Sequence, residues 1–143
     1  MEFDAKTIWV FALVIAAAMA HKYVPRWRAR SPFVNPADLK RRLDAGDDVV
    51  VLDVRTAGEF HGKGGHLPGA INLPLADIQA RVFAYDRDLS PLKDHPVYVH
   101  CGLEQRAARA ARTLRDAGFT DVSVVQGGFR SWRRKGFPLE GKR

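Results

Sequence analysis

VYVHCGLEQRAARAARTLRDAG, residues 97–118, is the stretch that decides the fold. It opens with a short apolar, mostly β-branched run of the kind found in strands buried on both faces. His100 and Cys101 follow directly, then a glycine. From Arg106 to about Ala117 the alanines and Leu114 recur at helical spacing, with arginines between them, and Gly118 supplies a stop. A strand feeding a helix through a tight loop is half of a βαβ unit.

The same grammar extends in both directions. Upstream, Val49-Val50-Val51-Leu52 reads as a second doubly buried strand. It is preceded by a helix start in which Asn35 caps, Pro36 occupies the first turn, Asp38 stands at the capping-box position and Val34 with Leu39 forms a staple. Residues 53–74 are rich in glycine, with a short strand candidate at 70–73. Leu75, Ile78 and Val82 then mark one side of a helix, and a loop holding Asp86, Asp88, Pro91 and Pro96 leads back to residue 97. Downstream, residues 122–125 form another strand, and Gly127-Gly128 turns the chain into a short helix carrying Phe129 and Trp132. Strands alternating with helices predict right-handed crossovers and a parallel sheet covered on both faces. Ligands of such sheets sit beyond the C-terminal strand ends, where Cys101 falls.

The chain has 143 residues, 46% hydrophobic and 27% charged, which suits one globular domain. The expected division is residues 1–30 as a membrane anchor with a basic juxtamembrane linker, and residues 31–143 as the folded domain. Residues 8–20, IWVFALVIAAAMA, carry no formal charge. Counted from Thr7 to Val24, the segment reaches about 27 Å as a helix, close to the hydrocarbon thickness of a bilayer. Trp9, Tyr23 and Trp27 can anchor at the interface and Lys22 can snorkel. Lys22, Arg26, Arg28 and Arg30 after the segment predict a single-pass protein of the inner or cytoplasmic membrane, its domain facing the cytoplasm. Ala18-Met19-Ala20 offers a signal-peptidase-like alternative, but the start MEFDAK lacks the basic region a signal peptide needs.

The net charge of +7 is gathered at these two ends, with Arg130, Arg133, Arg134, Lys135, Lys142 and Arg143 at the other. Such clusters suit an anionic lipid surface or attraction of anions. No nucleic-acid-binding motif accompanies them. Of the five histidines, those at 61, 66, 95 and 100 have no zinc-site spacing, so no metal is expected. Oligomeric state is not readable.

Cys101-Gly102-Leu103-Glu104-Gln105-Arg106 is where chemistry is expected. A free thiol of pKa about 8.5 is only about 3% thiolate at pH 7, and lowering the pKa to 7 takes about 2 kcal/mol. Loop N–H groups, the following helix N-terminus and Arg106 are the candidate sources. A buried, inert core cysteine is the competing reading.

The chain resembles the rhodanese family over nearly all of residues 33–138. The resemblance rests on Asp53-Val54-Arg55 with Glu59-Phe60, on GHLPGAINLP at 65–74, on the cysteine loop, on Gly127-Gly128-Phe129 with Trp132, and on Gly136-Phe137-Pro138. It implies a three-layer α/β/α domain with a central parallel sheet, here preceded by an N-terminal hydrophobic helix. It also implies Cys101 as a persulfide-forming nucleophile, with Gly102, Leu103, Glu104, Gln105 and Arg106 as the substrate-binding loop. A donor such as thiosulfate would supply the sulfur, and cyanide, a small thiol or a protein thiol would accept it, without metal or organic cofactor. With one cysteine in the chain, no second thiol is available to resolve the persulfide internally. Four residues separate Cys101 from Arg106, and position 107 is alanine, so the Cys-x5-Arg pattern of phosphatases is not met.

The loop also departs from the family, which often has serine near 103 and glycine at 104. Leu103 offers no hydroxyl. Glu104 pointing inward would raise the cysteine pKa; pointing outward it would leave the backbone cradle intact and favour a cationic acceptor. A noncatalytic rhodanese-like module that binds a partner at the membrane is the alternative function. Asp53, Arg55, Glu59 and His66 are expected to brace the site: Asp53 by accepting loop N–H groups, Arg55 and Glu59 by pairing, and His66 by organising its turn.

Overall fold

The computed structural model describes residues 4–84 and 90–142. Asp86, Asp88, Arg143 and the side chains of Arg26 and Arg28 lie outside the described residues. A long helix, α1 (Ala5–Ala29), precedes β1 (Phe33–Val34), α2 (Pro36–Asp44), β2 (Val50–Asp53), α3 (Ala57–Phe60), β3 (Ile71–Asn72) and α4 (Leu75–Ala84). A 3-10 turn at Ser90–Leu92 then leads to β4 (Val97–His100), α5 (Gln105–Asp116), β5 (Val122–Val125) and α6 (Gly128–Arg134).

The five strands form one parallel sheet in the order β1-β5-β4-β2-β3. β4 lies between β2 and β5, pairing Val99 with Leu52 on one side and Val124 on the other. Alternation along β4 explains the two-sided core. Val97, Val99 and Cys101 enter one apolar layer with Ile78, Val82 and the α5 residues Ala107, Ala110, Ala111 and Leu114. Tyr98 enters the other with Leu39, Leu67, Phe129 and Trp132. Small alanines on the inner face of α5 let that helix lie close to the sheet, while Arg109 and Arg112 stay exposed.

Asn35 caps α2 as expected, accepting from the Ala37 N–H at 2.9 Å, with Pro36 in the first turn. A helix missing from the sequence reading, α3, stands in the glycine-rich segment. Thr56 and Glu59 close a capping box around it, each side chain bonding the other's backbone.

α1 takes in both the apolar run and most of the basic residues that follow it. It continues without a break through the segment read as a linker and ends at Arg30, which adopts a left-handed conformation (φ 50°). Residues Ala5–Val24 are long and apolar enough to cross a membrane. Their side chains are not used in the core: Trp9 is 71% and Leu13 68% exposed. The last turns are docked, with Ala29 fully buried.

Candidate functional site

Cys101 follows the last residue of β4, at the C-terminal edge of the sheet, and its side chain is only 2% exposed within the apolar layer beneath α5. The sulfur is therefore deeper than an open loop would place it. What lies above it is set by α6. The N–H of Phe129 donates to the Cys101 carbonyl at 2.7 Å and that of Arg130 to the Gly102 carbonyl at 3.1 Å. Across a trans peptide the next N–H points the opposite way from its carbonyl. Pinning these two carbonyls on α6 therefore turns the N–H groups of Gly102 and Leu103 away from that helix.

This contact requires a glycine. Gly128 has φ +52°, and a Cβ there would fall inside contact distance of the Cys101 and Leu103 carbonyl oxygens. The loop and the α6 N-terminus are consequently built as one unit. Glu104 joins it: its carboxylate accepts from the Gly127 N–H at 2.9 Å, and its backbone (φ −139°) needs no left-handed conformation. The charge of Glu104 is thus spent on the α6 turn. Leu103 stands at the tip of the loop, 54% exposed, and Gln105 is exposed beside it.

Arg106, in the first turn of α5, is held by Glu59 through two bonds of 2.7 and 2.8 Å. A Cβ added to Gly102 would lie 3.3 Å from Arg106 Nη2, so the guanidinium runs against the loop. The bond to Arg106 holds the Glu59 carboxyl at a pKa of about 2, below its usual 4.5. Glu59, and after it Cys101, in turn favour the charged form of Arg106. Positive charge and the exposed end of the α5 dipole thus sit on the cysteine side of the loop.

The expected pairing of Arg55 with Glu59 is not what the structure holds. Arg55 instead pairs with Asp53 (2.7 Å from Nη2), both side chains almost fully buried. Asp53 does accept a loop N–H, that of Arg55, at 3.0 Å. The Arg55 guanidinium also donates to the Gly65 carbonyl and lies 4.0 Å over the Phe129 ring. It thereby links the β2 exit to the helix that pins Cys101. The reason is local: α3 turns Glu59 away from Arg55 and toward α5.

His66 lies in the turn that follows α3. It stacks on Phe60 at 3.9 Å and exchanges backbone bonds with Glu140, fastening the C-terminal tail. His100 is fully buried, its Nε2 3.6 Å from the Asp53 carboxylate. Burial lowers its pKa to about 4, so the ring is neutral at physiological pH. Among the described residues no group of three or more histidine, cysteine, aspartate or glutamate side chains gathers to hold a metal.

Comparison with known proteins agrees with this architecture. Residues 35–135 match the profile of the rhodanese-like domain. The chain is 39% identical over 85 residues to the uncharacterized protein YqhL of Bacillus subtilis, covering 59% of this chain and 61% of that one. It is 29% identical over 106 residues to a sulfurtransferase of Allochromatium vinosum, covering 74% and 92%. The solution structure of a rhodanese-like domain from an Anabaena protein superposes with a TM-score of 0.64 at 34% identity, covering 78% and 80%. The chain spans between 44% and 65% of the length of the curated relatives it matches first.

Proposed function

The chain belongs to the rhodanese-like domain family, and from that premise we propose that it is a sulfurtransferase working through a persulfide on Cys101, held at a membrane by α1. The Cys101 thiolate attacks the sulfane sulfur of a donor such as thiosulfate. A sulfur–sulfur bond forms to Cys101, the bond within the donor breaks, and sulfite leaves with the electron pair. An acceptor thiolate or cyanide then attacks the outer sulfur and returns the Cys101 thiolate. Neither step needs a metal or organic cofactor.

The observation that carries this reading is the pinned loop. With the Cys101 and Gly102 carbonyls bonded to α6 and Arg106 braced by Glu59, donors and positive charge are arranged around the strand end while carbonyl oxygens are kept away. Donors so arranged suit the anionic outer sulfur of a persulfide. Glu104 fits this arrangement, its carboxylate being engaged by the Gly127 N–H. In this reading α1 is a single-pass anchor of the cytoplasmic membrane with the domain on the cytoplasmic side, as the basic residues after the apolar run favour.

The test is sulfite release from thiosulfate, one equivalent per Cys101 in the first turnover, lost in Cys101→Ser. The depth of the sulfur favours a second reading, a partner-binding module with an inert cysteine. No sulfite from thiosulfate, no persulfide on Cys101 with any other sulfane donor, and no reaction of Cys101 with small alkylating agents would decide for it.

A further inference from the structure

The direction in which α1 leaves the domain has a consequence for the site. His21 Nε2 is 3.3 Å from Gln105 Nε2 at the first residue of α5. Ten residues later Ser31 meets Arg115 at 3.2 Å, and Arg30 lies 3.7 Å from Asp116 at the other end of that helix. The last turns of α1 therefore run parallel to α5, with a groove between them lined by Ala20, Val24, Ala108 and Arg112. α5 starts where the cysteine loop ends. The apolar part of α1 consequently projects past the α5 N-terminus, on the side toward which the Cys101 loop opens.

The lengths fix the separation. Ala5–Val24 comprises 20 residues, about 30 Å of helix, which matches the hydrocarbon thickness of a bilayer. The turn holding His21 then lies at the membrane boundary, and Gln105 beside it. Leu103, 54% exposed, is the apolar tip of the adjoining loop. Arg130, exposed, stands beside it, bonded through its N–H to Gly102, and exposed Arg109 and Arg112 line the adjoining groove between α1 and α5. The carboxylates of this face are engaged within the protein, Glu59 by Arg106 and Glu104 by Gly127. An apolar tip with arginines at the loop and along the adjoining groove is complementary to anionic phospholipid headgroups.

We propose that the mouth of the Cys101 loop is apposed to the anionic headgroup layer of the membrane that α1 crosses, with Leu103 entering the interface, so that sulfur is exchanged at the membrane surface. This rests on reading α1 as a membrane span. The full chain in the Cys101→Ser background is given a single labelling site by Leu103→Cys, Asp48→Cys or Val14→Cys. Each carries a nitrobenzoxadiazole fluorophore in nanodiscs of phosphatidylglycerol and phosphatidylcholine containing a shallow nitroxide lipid. Asp48 lies before β2, at the opposite edge of the sheet, and Val14 is in the apolar part of α1.

The label at 103 is expected to be quenched at least about twofold more than that at 48, with position 14 also quenched. Replacing Arg109 and Arg112 by glutamate should bring quenching at 103 down to its level in phosphatidylcholine alone. Quenching at 14 with positions 103 and 48 equal would overturn the apposition while leaving the span intact. No quenching at 14 would remove the span and the apposition together. Quenching at 103 unchanged by the charge reversals and by lipid charge would overturn the headgroup complementarity.

Discussion

Replacing Gly128 by alanine separates the loop-pinning account from a general packing role. The new Cβ would meet the carbonyl oxygens of Cys101 and Leu103, and the backbone at φ +52° is unfavourable for any residue with a side chain. The left-handed conformation costs about 1 kcal/mol. Relief of the clash moves the α6 N-terminus off the loop and breaks the Phe129 and Arg130 bonds to the Cys101 and Gly102 carbonyls, about 1 kcal/mol each. The sum is about 3 kcal/mol, together with a loop whose carbonyls are free to turn toward the sulfur. Gly46→Ala is the matched control: its φ is +72°, but nothing lies within 4 Å of the added Cβ, so only the conformational cost of about 1 kcal/mol applies. Urea denaturation in mild detergent gives the stabilities, and sulfite release under conditions where both variants are folded gives the activity. Gly46→Ala should transfer sulfur normally and Gly128→Ala at least about tenfold more slowly. Equal destabilisation of the two, with normal transfer by Gly128→Ala, would refute the pinning.

Other predictions follow from the buried and paired charges. Asp53→Asn leaves the buried Arg55 guanidinium without its carboxylate and should cost about 3–5 kcal/mol, measured by the same denaturation. His100 has a folded pKa of about 4 against 6.5 when unfolded, so the unfolded chain binds more protons between those values. Stability should therefore decline as pH falls from 6.5 to 4, by up to about 3 kcal/mol, and His100→Asn should flatten that slope. Glu59→Gln frees Arg106; because both side chains are more than a third exposed, solvent screening limits the loss to about 1 kcal/mol, whereas sulfite release should fall more than stability does. The depressed Glu59 carboxyl means that the pair's contribution is complete above pH 4.5 and lost only as pH falls toward about 2, which a pH series comparing wild type with Glu59→Gln reads directly.

The sheet and the cysteine loop were legible because their signals are local. Residues 97–99 can only be satisfied by burial on both faces, and the alanines of α5 keep helical period through the whole element. Asn35-Pro36 announced α2 for the same reason. The pairing of charges was not legible. Arg55 and Glu59 are four residues apart, but α3, whose capping box at Thr56 and Glu59 was the available signal, directs Glu59 to a helix 47 residues farther along. The contact between Gly128 and the loop is likewise a tertiary approach, visible in sequence only as a glycine pair. The end of α1 was not legible, because the apolar run and the basic cluster speak to membrane insertion, whereas the helix's continuation to Ala29 is secured by burial against the rest of the fold. The depth of Cys101 follows from strand alternation, which carries position 101 to the same face as Val97 and Val99.

The most direct measurement is the intact mass of the pure full chain after incubation with thiosulfate or a small persulfide, without reductant. A persulfide on Cys101 adds about 32 Da, is removed by a thiol, and is missing in Cys101→Ser. A mass unchanged by every sulfane donor, in protein whose Cys101 is reduced and folded, would contradict the assignment of sulfur transfer to this loop.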